Sequence, residues 1–292
     1  MRAPCTPSAA YRGGVTSLSY VIAGSEATGG AGIQVDLKTF QALGTYAVGT
    51  LTCIVSFDPK NVWAHRFVPV DPQVIADQIE AATTCHELDV VKIGMLGAPA
   101  TIDTVATALA AQPWRHVVLD PVLICKGQEP GAALDTDNAL KAQILPLANV
   151  ITPNHFEACT LAGMERLESV ADMAEAARRI HALGPKYVIV KGGVELPGPD
   201  AVDLLFDGEA VTVYSTPKIG EERASGAGCT FAAAVTAELA KGTDIHDAAR
   251  IAKQVVTQGI TDRRASAAPF DAVFFDGTLR EEIADRVQVS SL

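Results

Sequence analysis

From Leu18 to about Thr261, short runs of apolar and β-branched residues alternate with stretches whose apolar positions recur every three or four residues. That alternation predicts βαβ units and a mostly parallel sheet. Tyr20 to Ala23 is a predicted strand ending in glycine. Ile33, Leu37, Phe40 and Leu43 form one stripe of a helix over 32–43 that Gly44 stops. A strand returns over 46–55. Asp71 caps a helix with Pro72 at its first position, running to about Cys85. Val90 to Ile93, Val117 to Leu119, Val150 to Thr152 and Tyr187 to Val190 are short runs, each preceded by an amphipathic helix, as buried parallel strands require. After Lys191 the pattern becomes a hairpin, 201–206 and 210–214 about Asp207-Gly208. Two long helices, 228–241 and 244–261, follow. The expected fold class is therefore α/β, a doubly wound and mostly parallel sheet flanked by helices. Residues 263–292 carry no clear pattern, and 1–17 read as a disordered tail, leaving 18–262 as a single domain.

Composition narrows the function. The 292 residues hold 34 Asp and Glu against 23 Lys and Arg, a net charge of -11, with no basic cluster to neutralise a nucleic-acid backbone. No apolar run approaches a membrane span. Six cysteines are scattered without a CxxC or a Cys/His cluster, which suggests neither zinc nor a disulfide framework and fits a reduced, cytoplasmic setting. A small molecule is the expected partner, with no nucleic acid and no membrane.

In such a sheet, chemistry sits beyond the carboxyl ends of the strands, so the strand-to-helix turns are informative. The turn 24–32 has four glycines in nine residues, which lets backbone amides approach a ligand. It is neither a Walker A loop nor a dinucleotide fingerprint. Ser225-Gly226-Ala227-Gly228-Cys229-Thr230-Phe231 opens an apolar helix, and its first-turn amides can bind an anion such as a phosphoryl group. Cys229 lies in that helix field, which is expected to lower its pKa and favour thiolate; a small buried thiol is the plainer alternative. Asp120-Pro121, Thr152-Pro153-Asn154 with Glu157, and Lys191-Gly192-Gly193 put polar groups at other strand ends. A carboxylate there can hold a hydrated divalent cation, while Asn154 and Glu157 also have the spacing of a capping box.

Taken together, IAGSEATGGAGIQVDLKTFQ (22–41), KIGMLG (92–97), LDPV (119–122), ITPN (151–154) with Glu157, VKGG (190–193) and GAGCTF (226–231) resemble the ribokinase superfamily, in its branch of hydroxymethylpyrimidine kinases and related pyridoxal kinases. The motifs fall in order over roughly 18–262. The resemblance implies a ribokinase-like sheet with a small lid and ATP-dependent phosphorylation of a hydroxymethyl group on a small heteroaromatic ring, chemistry that needs chiefly positioning and charge stabilisation. It assigns the anion hole to Gly226, Ala227 and Gly228, and the base for the attacking hydroxyl to Cys229. Sugar kinases of the superfamily carry Asp at that position, and a thiolate is the weaker hydrogen-bond acceptor. Asp120, Asn154, Lys191 and Gly193 are assigned to ATP, Glu157 and Asp120 to Mg2+. The resemblance leaves room for a monovalent cation and implies a homodimer.

Within the branch, substrate contacts fall to Gly24, Ser25, Glu26, Asp36, Phe57 and His65. Hydroxymethylpyrimidine kinases usually carry Gln-Asn where this chain has Phe57-Asp58, followed by Trp63-Ala64-His65. The bacterial pyridoxal kinases are the better match, and share the lid segment VLICKG (122–127) with Cys125. A thiolate adds to the aldehyde of pyridoxal as a hemithioacetal, chemistry a pyrimidine alcohol lacks. Pyridoxal, with pyridoxine and pyridoxamine, is thus the expected substrate. Phosphorylation of hydroxymethylpyrimidine or its phosphate is the alternative, and a non-catalytic vitamer-binding protein the second.

Overall fold

Neighbouring residues of the central strands face opposite sides of one sheet, and helices cover both sides. The computed structural model describes residues 16–123 and 130–292. Its strands are β1 (Leu18–Glu26), β2 (Tyr46–Asp58), β3 (Ala64–Pro69), β4 (Val90–Ile93), β5 (His116–Leu119), β6 (Val150–Ile151), β7 (Tyr187–Lys191), β8 (Asp200–Phe206), β9 (Val211–Pro217) and β10 (Gln288–Ser291). The helices are α1 (Gly32–Ala42), α2 (Pro72–Cys85), α3 (Pro99–Ala110), α4 (Pro130–Gln143), α5 (His155–Ala162), α6 (Val170–His181), α7 (Ala227–Lys241), α8 (Ile245–Thr261) and α9 (Glu281–Ala284).

The strand order is β10-β9-β8-β7-β6-β5-β4-β1-β2-β3. The strands from β2 through β7 across this order pair in parallel, and the two flanks are antiparallel. Tyr20, Ile22, Val91, Ile93, Val117 and Leu119 pack under α2 to α6. Their neighbours Val21, Val90 and Val118 face α1, α7 and α8. This two-sided burial is why the strands read as continuous apolar runs. On α7, consecutive alanines at 232–234 let the helix lie close on the sheet, and all three are 0% exposed.

The expected caps form. The Asp71 side chain accepts from the Gln73 amide at 2.8 Å ahead of Pro72, and Gly44 follows α1 with φ 78°. Three stretches differ from expectation. β1 continues through Glu26 with an irregularity in register between Ala23 and Ser25, so the glycine-rich segment starts as strand rather than turn. β2 runs to Asp58 and folds back as β3, through a turn that holds Val62 and Trp63 at φ 48° and 59°, without glycine.

Residues 263–292 pack on the domain. Ser225 bonds to this strap on both sides of Ala272: its N–H donates to the Asp271 carbonyl at 2.8 Å and its carbonyl accepts the Val273 N–H at 3.0 Å. β10 then adds to the β9 edge. The tail 1–17 lies outside the described residues apart from its last two, and the lid segment 122–127 lies outside them apart from its first two.

Gly259 of α8 is where the strap touches a helix: an added Cβ would stand 2.5 Å from Val273 Cγ1. Gly259→Ala should therefore lose stability despite the ~1 kcal/mol gain in helix propensity, because overpacking costs about 1–3 kcal/mol. Urea unfolding should show a net loss of about 1 kcal/mol; a gain would mean the strap is not held there.

Candidate active site

The parallel strands end at one edge of the sheet, and that edge collects the polar groups. Gly24 to Glu26 close β1, Gly94 follows β4, Asp120 follows β5, Thr152 follows β6 and Lys191 ends β7. The order changes direction at β1, flanked by β2 and β4, which is where a crevice opens in a doubly wound sheet.

Two glycine turns meet over this crevice. Gly32 opens α1 with φ 63°, and a Cβ there would stand 2.4 Å from the Gly24 carbonyl. Gly226 caps α7 with φ 79°, and its Cβ would stand 2.1 Å from the Gly30 carbonyl. Only glycine permits both conformations at this approach. The result brings the N-terminus of α7 against that of α1, where first-turn amides have no partner within their own helix; in α7 the Ala227 N–H donates to the Ala224 carbonyl at 3.4 Å. Cys229 lies in the first turn of α7. Glu26 holds the first turn together: its carboxylate accepts from the Thr28 amide and hydroxyl, both at 2.6 Å, and from the Gly30 amide at 3.1 Å. Ser25 Oγ accepts from Gln34 at 2.6 Å.

Below these turns lie two buried ion pairs. Lys92 Nζ is 2.8 Å from Asp36 Oδ1 and 2.9 Å from Oδ2. Lys191 Nζ donates to Asp120 Oδ1 at 2.8 Å, and Thr152 Oγ1 donates to the same oxygen at 3.3 Å. Burial pushes the Asp36 carboxyl up to about 6 against the pull of Lys92. Asp120 is held below the usual carboxylate range because Lys191 and Lys92 outweigh its burial. Both lysines are held above their ordinary value by their carboxylates despite burial. Glu157 completes the capping box of α5, accepting the Asn154 N–H at 2.8 Å. Burial and the charge of Asp120 push it up to about 8, although Lys191 pulls the other way.

One expectation is corrected here. Cys229 stands in the field of a helix N-terminus, but burial outweighs that field and pushes the ligand-free thiol up to about 11, with Asp120 and Asp36 opposing Lys92. The resting group is a thiol.

Of the remaining assigned residues, Phe57 and His65 face each other across the β2–β3 pair with ring centroids 4.5 Å apart. Phe270 of the C-terminal strap packs on Phe57 at 5.2 Å. Asp36 is fully buried and lies beneath the site rather than at its surface. Cys125 lies outside the described residues. Asn154, Lys191, Gly193, Ala227 and Gly228 line a cavity of about 230 Å3. It runs between the β7–β9 ends and α7 and α8, and also holds Lys218, Arg223 and a buried Lys253–Asp203 pair at 3.0 Å.

Lys92 and Phe270 were missed by residue-level reading. A signal for Lys92 exists, since a lone charge within an all-buried apolar strand demands a partner. Phe270 had none, because its neighbours are distant in sequence.

A ribokinase-like sheet with an amide pocket between paired charges, beside a cavity rich in cations, is the architecture of small-molecule kinases. The chain matches the phosphomethylpyrimidine kinase family over residues 26–269 and belongs to it. It is 46% identical to the pyridoxine kinase of Bacillus subtilis over 82% of this chain and 89% of that protein. The structure of pyridoxal kinase from Staphylococcus aureus in complex with AMP-PCP and pyridoxal superposes with a TM-score of 0.85 at 36% identity, covering 96% of this chain and 99% of that one. For phosphomethylpyrimidine kinase from Clostridium difficile the values are 0.71 and 35%, over 84% of this chain and 100% of that one.

Gly226→Ala tests the amide pocket. The Cβ cannot fit against Gly30 without moving the α7 turn, and nucleotide affinity measured by calorimetry should fall about tenfold or more, ~1.4 kcal/mol. Unchanged affinity would remove the turn from the nucleotide site.

Proposed function

We propose that this protein transfers the γ-phosphoryl group of ATP to the 5'-hydroxymethyl group of pyridoxal, and of pyridoxine and pyridoxamine, giving the 5'-phosphates. The observation that carries the choice of substrate is similarity to pyridoxine and pyridoxal kinases, with an S. aureus relative holding AMP-PCP and pyridoxal that matches 96% of the chain. Phe57 and His65 supply an apolar and hydrogen-bonding wall for a pyridine ring.

The residues divide the work by position. Amides of Gly226, Ala227 and Gly228 at the α7 N-terminus hold the transferring phosphoryl group, where charge develops. Lys191, Asn154 and Gly193 line the nucleotide side, with Asp120 fixing the ammonium of Lys191. Cys229, once deprotonated, takes the proton of the substrate hydroxyl as that oxygen attacks phosphorus. Gly24 and Ser25 edge the ring site, Glu26 shapes its turn, and Asp36 supports it from beneath. Cys125 of the lid adds reversibly to the pyridoxal aldehyde.

Glu157 and Asp120 fit a hydrated Mg2+, which takes one or two protein carboxylates. A buried carboxyl pushed up to about 8 is short of positive charge, and a cation bound there neutralises it together with the phosphates. One kinase domain over 18–262 carries these residues, with 263–292 strapped to it. A homodimer is supported by the exposed apolar pair Ile54 and Val68, opposite each other on the β2–β3 hairpin. Among the described residues no helix is long and apolar enough to cross a membrane. Cys53, Cys85, Cys159 and Cys229 are free, which supports a reducing cytoplasm.

Purified protein with ATP and Mg2+ should phosphorylate pyridoxal with higher kcat/KM than hydroxymethylpyrimidine, and the reverse order would overturn the assignment. In Cys229→Ala, turnover should fall by about 10²-fold or more, the scale of a general base, with ATP still bound; near-normal turnover would exclude this base.

Glu157 gives a pH test. Below about 8 it carries a proton in the ligand-free protein, while cation binding favours carboxylate. Calorimetry at pH 7 in buffers of different ionisation enthalpy should detect proton release on Mg2+ binding that disappears in Glu157→Gln. No release would separate Glu157 from the cation.

A further inference from the structure

Phe57, near the end of β2, packs in none of the apolar cores of the described residues. Two other rings hold it instead. His65 of β3 meets it edge-on with centroids 4.5 Å apart, and Phe270 of the C-terminal strap tilts against it at 5.2 Å with 50° between the ring planes. Both separations lie within the range of attractive aromatic pairs. A ring held on two sides keeps one orientation.

The loop that carries Phe270 places it there. The Arg264 N–H donates to the Ala272 carbonyl at 2.8 Å and the Ala272 N–H to the Arg264 carbonyl at 3.0 Å, which closes residues 264–272 into a loop. Arg263 pairs with Asp271 at 2.9 Å beside this base. Ala265, Ser266, Ala267 and Pro269 are exposed, whereas Phe270, the only large apolar residue of 265–271, is half-buried. The base of the loop is bonded to Ser225, which leads into the Gly226 turn. It also meets the other glycine turn, since a Cβ on Gly30 would stand 3.1 Å from the Ala272 Cβ. Phe57 approaches that same turn from the hairpin side: Val55 pairs with Glu26, and its carbonyl accepts the Ala27 N–H at 3.1 Å. Hairpin and strap thus flank the 26–30 turn, and the Phe57–Phe270 contact joins them.

Anchoring the strap does not account for this ring. The strap is already held by its bonds to Ser225, by the Phe274 N–H on the Gly259 carbonyl at 3.1 Å, and by β10 on the edge of β9. Behind the wall of a ring-binding site, however, a phenyl group adds apolar area and rigidity where a flat substrate lies.

We propose that Phe270 is a positioning residue that sets ring specificity: it locks Phe57 as an apolar wall for a pyridine ring and disfavours an aminopyrimidine, whose exocyclic amino group meets no strong acceptor on a phenyl ring. This rests on the kinase reading above. Phe270 acts through Phe57, and the strap thereby becomes part of the substrate site.

Pyridoxine is the probe, because it has no aldehyde and reads the ring site apart from any addition to a thiol. In Phe270→Ala the KM for pyridoxine should rise about fivefold or more, the scale of a lost aromatic pair. kcat and the KM for ATP should stay within about twofold of wild type. The KM for hydroxymethylpyrimidine should also move by less than about twofold, so that discrimination between the two rings falls. Phe270→Tyr keeps the ring and should restore the wild-type values. Calorimetry of pyridoxine on the full-length, ligand-free protein reads the same contact without turnover: Phe57→Leu and Phe270→Leu should each weaken binding, and the double variant by less than the product of the two losses. An unchanged KM for pyridoxine, equal losses for both substrates, a tyrosine variant no better than alanine, or fully multiplicative losses in the double variant overturns the proposal. Wild-type protein that binds pyridoxine with this non-additivity but phosphorylates no vitamer retains the ring wall and overturns the kinase reading instead.

Discussion

The active edge of this protein depends on placing charge inside a sheet that is otherwise apolar on both faces. Lys92 and Lys191 sit near the ends of parallel strands, and each is tolerated because a carboxylate meets it at 2.8 Å. Remove either partner and a buried charge is left uncompensated, a loss of several kcal/mol. These pairs also tie strands to what surrounds them: Asp36 links α1 to β4, and Asp120 links the end of β5 to β7. The two glycine turns then close over the pairs. Their amides add partial positive charge without adding net charge, which is how a chain of net charge -11 can bind a polyphosphate.

This arrangement explains the division between glycine and charge. Gly32 and Gly226 are needed where backbone meets backbone at distances no Cβ allows. The side chains that bear charge are held by strands and helices, where geometry is best controlled. Cys229 lies in the first turn of α7, directly after Gly226, Ala227 and Gly228. In the ligand-free state burial dominates and it is a thiol.

Much of this was legible in the sequence, for stated reasons. Strands buried on both faces announce themselves as apolar runs, and the caps at Asp71 and Asn154 follow from side-chain hydrogen bonding that is local. The ordered motifs located the crevice and the family. What escaped was set by distant contacts. β3 is a short strand containing Pro69, reached through a turn with Val62 and Trp63 in the left-handed region where glycine would be expected. Residues 263–292 are held by backbone bridges to Ser225 and by Phe270 on Phe57, neither of which leaves a periodic trace. Helix position, which is local and visible, predicts a thiolate at Cys229, whereas the desolvation that keeps the thiol protonated is global and leaves no mark in the sequence.

The central claim is that the buried pairs are ionised and fixed in the resting protein. Lysine-labelled 15N NMR of the Nζ groups tests it most directly. The account predicts that Lys92 and Lys191 give ammonium signals that do not titrate below about pH 10.4, the ordinary lysine value. A neutral amine at either position near pH 8 would contradict it.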